Sequence, residues 1–102
     1  MRIIKQSHLR RLAGRHPRSA SAAENWLAVA KQGRWGSLTD VRRTFPHADA
    51  VTVASGNTVT IFNIAGNQLR LITAIHYRAQ LVFILRLLTH AEYSKNTWKE
   101  QL

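Results

Sequence analysis

Apolar and polar residues alternate with different periods in the two halves of this chain. In the first half, apolar residues recur every three or four positions, which is the spacing of an amphipathic helix. A short strand is predicted at residues 2–5, before the helical region. Three helices follow, bounded by glycine, proline and capping residues: residues 6–14, a helix from the capping box Ser21-Ala22-Ala23-Glu24 to Gly33, and a short helix from Ser37 to just before Pro46.

From Val51 onward the chain is rich in β-branched residues separated by short turns, a pattern typical of strands. Gly66-Asn67 is a tight hairpin signal. Short turns favour an antiparallel meander, so the predicted fold class is α+β, with N-terminal helices packed on an antiparallel sheet. Four strands are predicted: residues 51–53, 58–64, 69–77 and 81–88.

Side-chain alternation in the last two strands assigns their faces. Even positions include Arg70, Val82, Ile84, Arg86 and His90 and form the predicted charged face. A three-residue hairpin loop at residues 79–81 would place Arg70 across from His90, whereas a two-residue loop would put the charges on opposite faces. We favour the three-residue loop because it keeps every charge off the core face. The odd positions are almost wholly apolar and are expected to pack on the helices: Leu69, Leu71, Thr73, Ile75, Tyr77, Leu81, Phe83, Leu85 and Leu87.

Composition indicates one domain over residues 1–102, because 45% hydrophobic residues suffice for a core. The absence of cysteine excludes disulfides and thiolate metal sites. The N-terminus lacks the apolar core of a signal peptide, and no run reaches the roughly 18 apolar residues that a membrane span needs. We therefore expect a cytoplasmic protein with no membrane partner.

The chain carries a net charge of +10, and most of it lies in the first half. Residues 1–47 hold ten Lys or Arg residues but only Glu24 and Asp40 as acids. A basic surface that only maintains solubility usually contains interspersed acids. The balance instead indicates an anionic partner, which is nucleic acid, an acidic protein or a membrane surface.

Thr89-His90-Ala91-Glu92 forms a second capping-box pattern directly after a strand. Thr89 is expected to cap a short helix, and Glu92 is interpreted as its capping partner rather than as a general base. His90 then lies in the first turn, where the positive helix end attracts phosphate and favours neutral imidazole. Tyr93 on the same helix offers a hydroxyl group for hydrogen bonding.

These residues suffice for metal-independent cleavage of RNA by its own 2′-hydroxyl. Arg70 and Arg86 would hold the phosphate, and His90 and Tyr93 would act in proton transfer and positioning. The five histidines lack ligand spacing and acids are scarce, so neither metal nor cofactor is predicted. Trp26 and Trp35 are interpreted as core residues. The remaining predicted RNA contacts are Arg10, Arg11, Arg34, Arg78 and Lys95. Arg10, Arg11, Arg15 and Arg18 fit a solvated face as well as an RNA contact, and Arg78 fits a solvated hairpin tip equally well.

The segments at residues 62–70 and 89–95 resemble the HigB branch of the RelE-type toxin family. The shared pattern is Phe-Asn-Ile, Gly-Asn, an arginine early in the next strand, a hydrophobic strand with an internal arginine, and Thr-His-Ala-Glu-Tyr. The resemblance implies a compact RelE-like fold with a curved antiparallel sheet. It also implies an endonuclease that cuts translated mRNA in the ribosome. A helix-turn-helix antitoxin of the HigA type would neutralise it, within a toxin–antitoxin hetero-oligomer.

By the same resemblance, Arg70 and Arg86 match the family's phosphate-holding arginines, and His90 and Tyr93 match its acid/base and positioning residues. Many relatives have lysine at the position of Ala65 and aspartate at that of Ser94. These departures imply a slower enzyme, or one that relies on Lys95. The assignment of base and acid stays open.

Two other functions fit the same charge. One is a non-catalytic module that binds RNA or the ribosome. The other is a protein-interaction domain whose basic face meets an acidic partner.

Overall fold

In a computed structural model, which describes residues 1–66 and 68–102, helices pack on a five-stranded sheet. This confirms the predicted α+β class. Within the described part of the chain, no helix has the length and apolarity needed to cross a membrane. The elements follow in the order β1 (Arg2–Ile4), α1 (Gln6–Ala13), a 3₁₀ helix (Pro17–Ser19), α2 (Ala20–Gln32), α3 (Leu38–Thr44), β2 (Asp49–Thr52), β3 (Thr58–Ile64), β4 (Leu69–His76), β5 (Leu81–Thr89), α4 (His90–Ser94) and α5 (Trp98–Gln101).

The strands lie in the order β1-β5-β4-β3-β2. Strands β2, β3, β4 and β5 pair antiparallel with one another in that succession, as predicted. Strand β1 instead pairs parallel with β5, with Arg2 opposite Leu81, so the prediction of a purely antiparallel sheet is wrong at this edge. Parallel pairing requires a long connection between the strands, and the chain between β1 and β5 includes three α-helices, the 3₁₀ helix and three strands. The predicted Gly66-Asn67 turn includes Asn67, which lies outside the described residues.

Helices α1, α2 and α3 occupy the three predicted segments, but the capping box predicted at Ser21 does not form. Helix α2 already begins at Ala20 because the preceding 3₁₀ helix runs directly into it. Ser21 therefore lies inside the helix. The Glu24 carboxylate accepts a hydrogen bond from Arg10 Nε at 2.6 Å instead of turning back to the helix start.

Apolar residues form one core on each face of the sheet. The helix-side core contains Trp26 and Trp35, 3% and 2% exposed, which confirms the prediction that both are core residues. Trp26 meets the Phe62 ring edge-on at 5.1 Å between centroids. A second core, which was not predicted, lies on the opposite face, where α5 covers it. Its buried members are Val53, Val59, Ile61, Ile72 and Trp98.

The β4–β5 hairpin differs from the prediction in its loop and its register. His76 pairs with Leu81, so the loop contains residues 77–80 and not the predicted residues 79–81. Farther along, Thr73 pairs with Ile84 while Ile72 pairs with Arg86. The intervening Leu85 has no partner of its own in this register, and it forms a β-bulge.

The bulge exchanges the two faces of β5 part-way along the strand. Val82 and Ile84 were predicted on the charged face, yet both belong to the helix-side core. Leu85 was predicted in the helix-side core, yet it packs against the second core. Beyond the bulge the faces return to the predicted assignment, so Arg86 shares a face with Ile72. Arg70 and Arg86 thus lie on one face as predicted, but because of the bulge and not because of the loop length.

Candidate active site

The candidate site lies where β5 passes into α4, at the end of the sheet far from the β4–β5 loop. Thr89 Oγ1 accepts a hydrogen bond from the Glu92 backbone N–H at 3.2 Å, and Glu92 Oε1 accepts one from the Thr89 N–H at 3.0 Å. Both bonds of the predicted capping box are therefore present. The His90 N–H donates to the Gln68 carbonyl at 3.2 Å, which ties the start of α4 to the chain entering β4.

Arg70 brings three of the four predicted catalytic side chains together. It pairs with Leu88 across the strands, not with His90 as predicted. Even so, its Nη2 lies 3.4 Å from His90 Nδ1, and its Cζ lies 5.8 Å from the centre of the Tyr93 ring. A guanidinium only donates, so this contact is a hydrogen bond when Nδ1 is the acceptor and the neutral ring carries its proton on Nε2.

Arg86 reaches the same face from the bulge. Its Nη1 donates to the Leu85 carbonyl at 3.0 Å, which holds the guanidinium close to the strand. It lines a groove of about 270 Å³ together with Lys95, Trp98 and Gln101. The two arginines lie on neighbouring strands, with Arg70 opposite Leu88 and Arg86 two residues before Leu88. This register places both arginines on the same face of the sheet, near the start of α4.

The Tyr93 ring lies between Arg70 and the second core. It stacks on Trp98 with centroids 5.3 Å apart and planes 22° apart, and the Tyr93 carbonyl accepts a hydrogen bond from Trp98 Nε1 at 3.0 Å. Burial raises the pKa of Tyr93, the charge of Asp49 raises it further, and the charge of Arg70 opposes the shift. Tyr93 therefore keeps its phenolic proton at neutral pH and can donate it in a hydrogen bond.

Glu92 is ionised and already engaged. Hydrogen bonds from the Thr89 backbone and side chain lower the pKa of Glu92, and the charges of His16 and Lys95 lower it further. A carboxylate with a lowered pKa is a weak proton acceptor at neutral pH. The geometry thus fits the interpretation of Glu92 as a cap.

Comparison with known proteins identifies the family. The profile of the HigB toxin family, described as the RelE-like toxic component of a toxin–antitoxin system, matches residues 19–96. The chain belongs to the HigB toxin family. Over 97 residues it is 28% identical to the mRNA interferase HigB of Escherichia coli O6:H1, which covers 95% of this chain and 92% of that relative. It is 25% identical to the mRNA interferase toxin HigB of Escherichia coli K12 over 93 residues, 91% of this chain and 88% of the relative.

Membership of the HigB toxin family implies an antitoxin partner for this toxin. Arg70, Arg86, His90 and Tyr93 all fall inside the matched segment. Trp98, which packs against Tyr93, lies beyond it. Among the residues that the structure describes, no three His, Asp or Glu side chains cluster as a metal site would require.

The structure does not gather most of the other predicted RNA contacts of this HigB-family chain at the site. Arg10 and Arg11 lie on α1, on the helix side of the sheet, and contact Glu24 and His8. Arg34 lines a concavity beside the β4–β5 loop, and Arg78 lies in that loop, so both are at the far end of the sheet. Lys95 alone among the five lines the Arg86 groove.

Sequence reasoning missed Trp98 and the neighbourhood of His16. Trp98 follows Asn96, which has a positive φ of 62° and turns the chain back toward Tyr93. Asparagine tolerates this left-handed conformation better than most residues, so Asn96 was the available signal for the turn. His16 gave no comparable signal, because only the folded chain brings it near the start of α4.

Proposed function

We propose that this HigB-family toxin is an endoribonuclease that cleaves mRNA in the translating ribosome, in the cytoplasm, without a metal ion. The observation that carries the proposal is the contact of the Arg70 guanidinium with both the His90 imidazole and the Tyr93 ring. The names of the relatives, which are mRNA interferases, support it. A helix-turn-helix antitoxin of the HigA type would neutralise the toxin in a hetero-oligomer.

The proposed reaction begins when a base removes the proton of the 2′-hydroxyl. The 2′-oxygen then forms a bond to the adjacent phosphorus, the bond from phosphorus to the 5′-oxygen breaks, and an acid protonates that oxygen. A 2′,3′-cyclic phosphate and a 5′-hydroxyl remain. His90 carries one of the two proton transfers, while Arg70 and Arg86 offset the charge that develops on the phosphate oxygens. Tyr93 donates a hydrogen bond to the RNA and so helps to position it.

Basic residues outside this site would hold the RNA around it. Lys95 lines the groove beside Arg86 and would contact the message. The remaining cations, spread over the helix side and the far end of the sheet, would contact the folded RNA of the ribosome through its phosphates. These residues are Arg10, Arg11, Arg34 and Arg78.

The test is to map RNA 5′ ends in cells that express the toxin or its variants. The toxin is expected to produce new ends within translated codons and to arrest growth. Arg70→Ala and His90→Ala should each reduce cleavage by about 10²-fold or more, the usual cost of losing a charge-stabilising or proton-transfer group. Arg43→Ala removes a matched arginine that pairs with Asp40 on α3, and it should cleave normally.

Two results would contradict the proposal. If Arg70→Ala and His90→Ala remain as toxic as the parent, the proposed site is wrong. If the toxin arrests translation while message stays intact, the chain is a non-catalytic RNA- or ribosome-binding module.

A further inference from the structure

A cleft of about 430 Å³ opens behind His90, on the helix side of the sheet. The 3₁₀ helix and the residue before it form one wall, and the adjoining ends of β4 and β5 form the other. This volume falls within the range of ligand sites, roughly 300–1,000 Å³. The lining residues are His16, Arg18, Ser19, Gln68, Leu69 and Thr89.

The cleft adjoins the candidate site through three neighbours. Leu69 directly precedes Arg70, Thr89 directly precedes His90, and the Gln68 carbonyl accepts the hydrogen bond from the His90 N–H at 3.2 Å. Successive residues of a strand point to opposite faces, so Leu69 faces the cleft while Arg70 faces the site. A single strand of RNA bound at Arg70 and His90 can pass over the end of the sheet into the cleft.

The lining chemistry suits a nucleotide. Leu69, a core residue that is 2% exposed, lies at the bottom of the cleft, while Arg18 is exposed and His16 is half-buried at the rim. Among the described residues that line the cleft, none is acidic. The nearby Glu92 carboxylate is committed to the capping box with Thr89. Proteins that bind single-stranded nucleic acid combine cations along the phosphate backbone with rings on which bases can stack. Arg18 and the His16 imidazole are the lining residues of those two kinds.

We propose that this cleft binds the RNA nucleotide next to the scissile phosphate, with a phosphate group at Arg18 and His16 and the sugar or base against Leu69. The proposal rests on the proposed function, because that function defines which phosphate is scissile. Continuity with the Arg70 and His90 site favours RNA over an acidic segment of the antitoxin as the occupant.

The experiment measures binding of the full chain to a short single-stranded RNA that is 2′-O-methylated throughout and therefore cannot be cut by its own 2′-oxygen. Arg18→Gln is compared with Arg15→Gln, a matched change at an exposed arginine that does not line the cleft. One phosphate contact to a single strand contributes about 0.7 to the salt slope, so at about 0.1 M salt Arg18→Gln should weaken binding about fivefold and lower the slope by about 0.7. Arg15→Gln should leave both nearly unchanged.

Equal losses in the two variants would overturn the proposal, because they would show only a general effect of charge. Weakened binding to the antitoxin with RNA binding as in Arg15→Gln would also overturn it, since the cleft would then belong to the protein partner. Thermal unfolding of Arg18→Gln at the parent temperature would confirm that the fold is intact. Failure of the proposed function is detected separately. If the parent toxin does not cleave message but Arg18→Gln still weakens RNA binding, the cleft remains an RNA site while the proposed function fails.

Discussion

The indole of Trp98 stacks on the phenol ring of Tyr93, with centroids 5.3 Å apart and planes 22° apart. The centre of the Tyr93 ring also lies 5.8 Å from the Arg70 Cζ. Trp98 is 3% exposed and belongs to the second core, and the Lys99 carbonyl on the same helix accepts a hydrogen bond from the Ala54 N–H. The C-terminal helix therefore holds Tyr93 in place beneath the arginine, although α5 lies beyond the segment that matches the family profile.

Replacing Trp98 should separate its packing from its hydrogen bond. Trp98→Ala removes a buried indole and should lower the free energy of unfolding by about 3–5 kcal/mol. Trp98→Phe keeps a stacked ring and loses only the Nε1–H donor. The Tyr93 carbonyl still accepts from the Lys95 and Asn96 N–H groups, so Trp98→Phe should lose less stability than Trp98→Ala. Denaturant unfolding measures the free energy of unfolding of both variants. Equal losses of stability in the two would show that stacking of the ring contributes little.

Glu92→Gln should test whether Glu92 acts as a cap or as a base. Glutamine can occupy the same position of a capping box, so the variant should keep its cleavage rate. Loss of a general base would instead slow cleavage by about 10²–10⁴-fold. Single-turnover cleavage of ribosome-bound message distinguishes these outcomes, and Thr89→Ala, which should cost about 1 kcal/mol of stability, provides the structural control.

The difference in melting temperature between the parent and Glu92→Gln should depend on pH. The pKa of Glu92 is lowered in the fold by the Thr89 hydrogen bonds, so its ionised form favours the folded state. That contribution is present above the unfolded pKa of about 4.3 and is lost as pH falls through the folded value. The melting temperature of the parent should therefore exceed that of Glu92→Gln at neutral pH, and the two should converge on acidification. A difference that grows toward acid pH would contradict the assignment.

Gly33 is predicted to be intolerant of any side chain. A Cβ atom there would lie 2.7 Å from Trp35 Cε2, and the Trp35 ring cannot withdraw because it is 2% exposed and packs against Phe45 and Phe62. Gly33→Ala should therefore cost about 1–3 kcal/mol, as overpacking usually does. At Gly36 a Cβ would meet only the Asp40 carboxylate at 3.3 Å, so Gly36→Ala should stay within about 0.5 kcal/mol of the parent. Similar unfolding midpoints for the two variants would show that Trp35 can move.

Local signals in the sequence predicted most elements of this fold, because capping residues, glycine and proline act over a few positions. The Thr89 and Glu92 capping box is such a signal, and its two hydrogen bonds are present. The box predicted at Ser21 failed because the 3₁₀ helix runs directly into α2, which begins at Ala20, and the pattern alone does not reveal this.

The pairing of residues far apart in the chain could not be predicted from the sequence. Alternation placed Arg70 correctly, but it cannot reveal that Leu85 is an extra residue, since a bulge depends on the register of two strands. The parallel pairing of Arg2 with Leu81 likewise joins residues from opposite parts of the chain. The approach of Arg70 to His90 depends on both the bulge and the turn into α4, so its geometry required the folded structure.

Both tyrosines of the chain should resist ionisation in the folded protein. Burial is the main cause that raises the pKa of Tyr93 and of Tyr77, and these are the two tyrosines of the sequence. Because the folded pKa values are raised, the neutral phenols favour the folded state below the ordinary value of about 10, and this contribution is lost as pH rises through the folded values. Phenolate absorbance should therefore appear at higher pH in the folded protein than in the urea-unfolded chain.

Tyr93→Phe should remove one of the two delayed phenolate steps. Its cleavage rate should fall without a change in the shape of the pH profile below about pH 9, since a neutral Tyr93 has no proton to lose there. A phenolate step at or below the unfolded value would mean that Tyr93 is not held as a neutral donor beside Arg70.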